Sequence, residues 1–309
     1  MNINYDVLDE SEKIIFALRS LYSQSGYERY RMGKFEEYDL YSRNKEFLVS
    51  DAVITFTDTN GKLMALKPDV TLSIIKNNKD KPEKIQKLYY NENVYRVSKG
   101  SNSFREIMQT GLECFGKVDT ACIREVLMLA AKSLELISED FVLEISDLEI
   151  LSSIIDDIPA SEEIKQDILK CFGEKNQHGI LQICRENDIA EEYAKPLQKL
   201  LMLYGNPDKV VDGLRELCRE KNLQKEADRL LDVITVFRDT PLRDKIQIDF
   251  SAVSDMNYYN GIIFRGFLAG VPDGVLSGGQ YDKLMQKMGR KSKAIGFAVY
   301  LDKLHGIKE

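Results

Sequence analysis

The sequence has 309 residues, 43% of them apolar and 30% charged, and a net charge of -7; this is the make-up of a globular protein of about two domains at ~150 residues each. The negative balance argues against a dedicated nucleic-acid binder, whose phosphate contacts leave a basic footprint, although a local basic patch can sit inside an acidic total. The polar, acidic start MNINYDVLDESEK excludes an ordinary secretory signal, and no run approaches the ~20 apolar residues of a membrane helix.

A first helix is expected from about Asp9 to Ser23, capped by Asp9 with Glu12, with Ile14, Leu18, Leu21 and Tyr22 on one face. Ser25-Gly26 breaks it. Ala52 to Thr57 alternates as a strand, Asp58-Thr59-Asn60-Gly61 is a hairpin turn, and Leu63 to Leu66 returns. Pro68 and Asp69 open a helix through about Lys76, with the proline in its first turn. Ile85 to Val97 reads as one long strand or a pair, Met108 to Gly116 as another, Cys122 to Ile137 as an amphipathic helix and Phe141 to Ile145 as a strand.

From Leu148 to about Arg238 the pattern is helical, with breaks at Pro159, Gly173, Gly179 and Gly205-Asn206-Pro207 and one weak strand signal at Gly179 to Ile183. Strand patterns return at Lys245 to Phe250, Tyr258 to Phe267 and Ala294 to Tyr300. Gly278-Gly279 and Gly289 separate the last two, and a short helix follows at Leu301 to His305. Two β-rich parts around a helical middle imply one shared, mainly antiparallel sheet and an α+β fold. The expected organisation is a core in 1–147, a helical insertion in 148–240 and the second part of the core in 241–309.

The five cysteines form no CxxC pair and read as buried thiols in a cytoplasmic protein. The two histidines, His178 and His305, exclude a histidine-rich metal site, and neither metal nor cofactor is expected.

Four constellations stand out, each with an ordinary alternative. Gln109 and Glu113 share a strand face across Gly111, either as the floor of a polar ligand site or as a solvated face. Lys67-Pro68-Asp69-Val70-Thr71 places a carboxylate and a hydroxyl at a helix start, for an amine ligand or for plain capping. Arg96 and Arg105 flank a polar loop, gripping a carboxylate or phosphate or lying in solvent. Tyr258-Tyr259 and Gly278-Gly279-Gln280-Tyr281-Asp282 suggest either close approach to a ligand or core tyrosines and a turn.

Taken together and in order, these stretches resemble the histidyl-tRNA synthetase family of class II aminoacyl-tRNA synthetases. LYYNENVYRVSKGSNSFREIMQTGLECFG resembles motif 2 with Arg96 as its arginine, SGGQYDKLMQKMGRKSKAIGFAVYLDKL resembles motif 3 with its glycine-rich lead-in, MNYYNGIIF resembles the histidine-specific tyrosine motif, and SGYERYRMGKFEEYDLY resembles a weak motif 1. The resemblance implies an antiparallel sheet flanked by helices. It also implies a histidine pocket in which Asp69 and Thr71 hold the α-amino group, Arg96 meets the carboxylate side, and Gln109, Glu113, Tyr258 and Tyr259 surround the amine and imidazole.

Departures from that pattern carry the functional expectation. Lys303 stands where motif 3 ends in an arginine, and Ser254 where an arginine precedes the tyrosines; Ser98 and Gly33 replace a motif 2 acid and the motif 1 proline. Adenylation relies on positive charge aimed at a phosphate, and losing two such groups at ~3 kcal/mol each would cripple it. The sequence ends at Glu309, where the synthetase would begin its anticodon-binding domain, so tRNA is not expected as a partner. A retained pocket with lost activation charges is similar to the regulatory subunit of ATP phosphoribosyltransferase. That resemblance implies no catalytic residues of its own, L-histidine as ligand, self-dimerisation through the synthetase-like core, and a hetero-octamer with a short catalytic subunit. The alternative is a synthetase-like enzyme that activates an amino acid with ATP.

Overall fold

The computed structural model describes residues 7–48, 52–97, 103–253 and 258–304. Its elements, in chain order, begin with α1 (Glu10–Gln24), β1 (Glu28–Arg29), β2 (Phe35–Glu37), α2 (Tyr38–Ser42), β3 (Thr55–Thr57), β4 (Leu63–Leu66), α3 (Thr71–Asn77), β5 (Gln86–Val97), β6 (Phe104–Gly116), α4 (Thr120–Ile137) and β7 (Phe141–Asp147). The helices α5 (Leu148–Asp156), α6 (Glu162–Gly173), α7 (Gln177–Glu186), α8 (Glu191–Met202), α9 (Pro207–Glu220) and α10 (Gln224–Ile234) follow. The chain closes with β8 (Ile246–Ile248), β9 (Ile262–Leu268), β10 (Leu276–Gln280), α11 (Asp282–Lys287), β11 (Lys293–Tyr300) and a 3-10 turn at Leu301–Leu304. Its contacts divide it into two compact units, 1–141 with 266–309, and 142–265.

In the first unit β1, β5, β6, β11 and β10 lie side by side in that order. β1 runs parallel to β5 and the other pairs are antiparallel. The early and late β-rich parts of the sequence meet where β6 pairs with β11, from Gln109↔Tyr300 to Gly116↔Lys293. The capping box at α1 forms as expected: Glu12 N donates to Asp9 Oδ1 at 2.7 Å and Asp9 N to Glu12 Oε2 at 3.0 Å. Its inner stripe is Ile15, Leu18 and Tyr22, a rotation away from the expected Ile14 and Leu21. Tyr22 sets that rotation, because its hydroxyl bonds Ser133 Oγ of α4 at 2.9 Å while its ring meets Phe297 edge-on at 5.9 Å. Phe297 is the register partner of Leu112, so α1 and α4 cover the sheet face opposite to Gln109, Gly111 and Glu113.

Local sequence explains most of the smaller elements. Asp58 Oδ1 accepts from the amides of Asn60 and Lys62, both at 2.8 Å, and Gly61 takes φ +81° to close the β3–β4 hairpin. The hairpin and β2 form a small sheet ordered β2-β4-β3. Its strand β3 begins only at Thr55, so Ala52 lies outside it. Other elements differ from expectation. The helix after Pro68 starts at Thr71, so the proline lies outside its first turn. Here the Pro68 carbonyl is taken by Arg96 Nε at 3.0 Å rather than by the helix. β6 begins at Phe104, earlier than the expected Met108, so Arg105 lies in the strand directly opposite Arg96. Gly278-Gly279 is not a turn but the middle of β10, where Gly279 pairs with Gly296.

In the second unit α5 to α10 occupy most of the chain, with β7 parallel to β8. Gly179 to Ile183 is helical, within α7: Asn176 Oδ1 caps the Gly179 amide at 2.8 Å, and Ile180 and Cys184, one turn apart, are both buried. β9 begins at Ile262, later than the expected Tyr258. Asp147, fully buried at the start of α5, is held by Arg229 of α10, whose Nε donates to Asp147 Oδ2 at 2.7 Å and whose Nη2 reaches Glu149 at 2.8 Å. Among the described residues no helix is long and apolar enough to cross a membrane.

Candidate functional site

The site is built on three rungs of the central sheet. Residues paired across antiparallel strands share a face, so one face carries Glu92–Gln109–Tyr300, Tyr90–Gly111–Ala298 and Leu88–Glu113–Gly296. Gln109 and Glu113 are both buried, at 3% and 2% exposure, which rules out the solvated-face alternative. Gly111 is not an open floor: the Tyr90 phenol lies over it, and a Cβ there would stand 2.6 Å from the Tyr90 hydroxyl oxygen. The open rung is the next one. A Cβ at Gly296 would stand 1.9 Å from Glu113 Oε2, so the carboxylate occupies the space which that missing side chain leaves.

Glu113 is the hub of the cluster. Thr71 Oγ1 donates to its Oε1 and the Tyr281 hydroxyl to its Oε2, both at 2.6 Å. Burial pushes its carboxyl up to about 8; the neighbouring Asp69 charge adds to this, and the two hydroxyl bonds oppose it. Asp69 sits at the entry to α3, where its Oδ1 accepts from the Leu72 amide at 2.8 Å. Burial also raises its carboxyl, against the pull of that amide and of Arg96. Asp69 therefore caps, as the ordinary reading expects, and its charge also acts on Glu113 as a second carboxylate. A site with two such carboxylates favours a ligand that brings a cationic amine.

Gln109 completes the arrangement. Its Nε2 is buried and makes no hydrogen bond among the described residues, and a buried donor left unpaired costs about 1–3 kcal/mol. Beyond it, Lys67, 1% exposed, donates from Nζ to Glu92 Oε2 at 2.5 Å. Glu92 is the register partner of Gln109, so this rung has a buried cation paired with a half-buried anion at one end. Lys303 is turned to the Gly274 carbonyl at 2.8 Å, with its ammonium 5.1 Å from the centre of the Tyr300 ring.

The structure thus brings together Asp69, Thr71, Arg96, Gln109 and Glu113 in the first unit. Tyr258 and Tyr259 belong to the second unit, with ring centroids 4.7 Å apart; Tyr259 packs on the cluster of Leu148, Ala252 and Ile263. Ser254 lies outside the described residues.

Comparisons with known proteins show the family and the fold. A family model described as histidyl-tRNA synthetase matches residues 6–304. An ATP phosphoribosyltransferase regulatory subunit of Clostridium acetobutylicum is 31% identical over 297 residues, covering 93% of this chain and 72% of that one. The chain belongs to the ATP phosphoribosyltransferase regulatory subunit family. The family's member from Thermoanaerobacter sp. X514 is 30% identical, over 94% of this chain and 77% of its own. In fold, the chain is similar to an ATP phosphoribosyltransferase regulatory subunit/histidyl-tRNA synthetase from Bacillus halodurans (TM-score 0.82, 23% identity, 97% of this chain and 80% of that one). It is also similar to a chain of the ATP phosphoribosyl transferase (HisG:HisZ) complex from Thermotoga maritima (TM-score 0.72, 19% identity, 94% and 97%). The family thus has the class II synthetase-like α+β sheet expected from the sequence.

Sequence reasoning missed three contributors. Tyr281 was noted only as part of a glycine-rich stretch, yet it supplies one of the two hydroxyls on Glu113. Its signal was the pair of glycines before it, which places a strand end beside Gly296. Lys67 and Glu92 carried no signal beyond their charge, because their burial depends on strand pairing.

Proposed function

We propose that the chain is a non-catalytic, cytoplasmic regulatory subunit that supports a short-form ATP phosphoribosyltransferase catalytic subunit and binds L-histidine for feedback. The observation that carries this reading is the buried Gln109 Nε2, without a partner among the described residues, on the same sheet face as a Glu113 already held by Thr71 and Tyr281. A zwitterion supplies what this cluster lacks: an acceptor for the Gln109 amide and a cation for Asp69 and Glu113. Arg96 stands on the carboxylate side, as the resemblance implies. The relatives named above are themselves regulatory subunits, and the Thermotoga maritima neighbour is a chain of a two-component complex. A hetero-octamer with the catalytic subunit, containing a dimer of this chain, is the assembly we infer.

Calorimetry tests the pocket. L-Histidine should bind the intact chain, and Gln109→Ala should weaken it by about 1–3 kcal/mol, the worth of a buried hydrogen bond. No heat with the native chain at millimolar histidine would overturn the pocket reading. Addition of the chain to a separately purified short catalytic subunit should raise phosphoribosyl transfer, and histidine should lower it.

A second reading, a synthetase-like enzyme that activates an amino acid, is favoured by one observation. Arg96 and Arg105 are register partners, a placement suited to gripping a phosphate. ATP–pyrophosphate exchange decides between the two. No histidine-dependent exchange is expected, because Lys303 is engaged with Gly274 and Tyr300. Restoring arginine at Ser254 and Lys303 measures how far the old chemistry is lost.

A further inference from the structure

The acidic chain gathers six lysines at one edge of the first unit. Lys79, Lys81, Lys84, Lys117, Lys291 and Lys293 are all exposed, and none forms an ion pair among the described residues. Backbone contacts bring their segments together. Asp80, between Lys79 and Lys81, accepts from the Lys291 amide at 2.7 Å and from the Ser292 amide and hydroxyl. Lys293 is the register partner of Gly116, which precedes Lys117. A Cβ at Gly116 would stand 1.9 Å from the Lys84 carbonyl oxygen and 3.2 Å from that of Lys81, so the turn at Lys81–Lys84 is pressed on the end of β6.

The local acids offset only part of this edge. Asp80 bonds the 291–292 backbone and Asp119 caps α4 by accepting from the Cys122 amide at 3.0 Å, and both keep their negative charge, so with Glu83 three acids stand against six lysines. The lysines around the margin are paired instead: Lys76 with Glu36, Lys87 with Glu125 and Lys287 with Glu46. The lysines in excess of these acids repel one another at a rigid edge, although the chain as a whole is acidic. An anionic surface brought by another molecule removes that repulsion.

We infer that this lysine edge is the docking surface for an acidic face of the catalytic subunit. The inference rests on the proposed function for the identity of the partner. A nucleic acid suits the edge less well. The segments carrying the lysines hold no aromatic ring on which a base could stack, and the net negative charge of the chain repels a long polyanion.

The test compares two variants of the full chain that carry the same change in net charge. One is Lys81→Glu, Lys84→Glu, Lys291→Glu. The control is Lys170→Glu, Lys209→Glu, Lys225→Glu, at exposed positions of the helical unit. Affinity for the purified short catalytic subunit is measured at 50 and 300 mM salt, with thermal melts confirming that each variant folds. The edge variant should weaken the complex about tenfold or more at low salt and flatten its salt dependence, as expected when steering charges are reversed. The control should change it less than about threefold. A native complex that the edge variant leaves intact overturns this inference alone. No complex with the native chain at either salt overturns the proposed function with it. Binding of a single-stranded RNA oligonucleotide that only the edge variant loses, with the protein complex unchanged, reassigns the surface to nucleic acid.

Discussion

Replacing Glu113 by Gln should leave stability near pH 5 little changed and remove much of its fall between about pH 5 and pH 8. The carboxyl is 2% exposed and lifted from 4.5 to about 8 in the folded chain. An acid whose folded value is raised binds more protons in the native state than in the unfolded one between those two values, so native stability falls as pH rises through that window. The slope is about 1.4 kcal/mol per pH unit, so Glu113 alone should cost the native protein about 3 kcal/mol between pH 5 and pH 7. That figure is a ceiling, since relaxation around an ionised Glu113 reduces it. Glutamine is isosteric with the neutral acid. Its carbonyl oxygen keeps one hydroxyl donor, and the other hydroxyl turns to accept from its amide. The stability difference between Glu113→Gln and the native chain should therefore be small near pH 5 and widen steadily in favour of the variant up to about pH 8. Urea denaturation at half-unit pH steps reads this directly. Parallel curves for the two proteins would refute the reasoning, because they would mean that Glu113 titrates alike in the folded and unfolded chains. Histidine binding should rise with pH over the same range in the native chain, since an ionised Glu113 holds a cation more strongly.

Gly296→Ala should abolish histidine binding and also strain the β6–β11 pairing, because the new Cβ stands 1.9 Å from Glu113 Oε2 and 2.5 Å from the Leu112 backbone carbonyl oxygen. Calorimetry beside circular dichroism checks it, and native-like affinity would refute the role given to that glycine. Arg229→Ala should destabilise the helical unit by about 3–5 kcal/mol at pH 8, the cost of removing one partner of a buried ion pair. The loss should shrink below about pH 6, where Asp147, raised to about 6 by burial against the pull of Arg229, protonates; denaturation at pH 5 and pH 8 measures both. Phe35→Glu should weaken the proposed self-dimer. Phe35 and Phe56 are 54% and 37% exposed, stack edge-on at 5.1 Å and lie in the small sheet, Phe35 within the motif 1 stretch itself; sedimentation at micromolar concentration reads the shift to monomer.

Much of this was legible in the residues themselves. The capping box of α1, the Asp58–Gly61 turn, the strand at Leu63–Leu66 and the helical run after Leu148 depend on neighbours within a few positions, so local chemistry determines them. The same holds for the common face of Gln109 and Glu113, which follows from the two-residue period of a strand. Pairing between distant strands decided the rest. Gly278-Gly279 reads locally as a turn, because glycine weakens a strand by itself. It becomes β10 because β11 lies beside it and Gly279 meets Gly296. Gly111 reads as an open floor until Tyr90, twenty-one residues earlier in the chain, is laid across it by the β5–β6 register. Which groups are buried was likewise not local: Lys67 and Glu92 look like ordinary surface charges, and only the sheet encloses them. The residue types that recognise a ligand are thus set by the sequence alone. The raised carboxyl of Glu113, the unpaired amide of Gln109 and the gathering of six lysines at one edge exist only once the tertiary structure has excluded water from the first two and brought three separate segments together for the third.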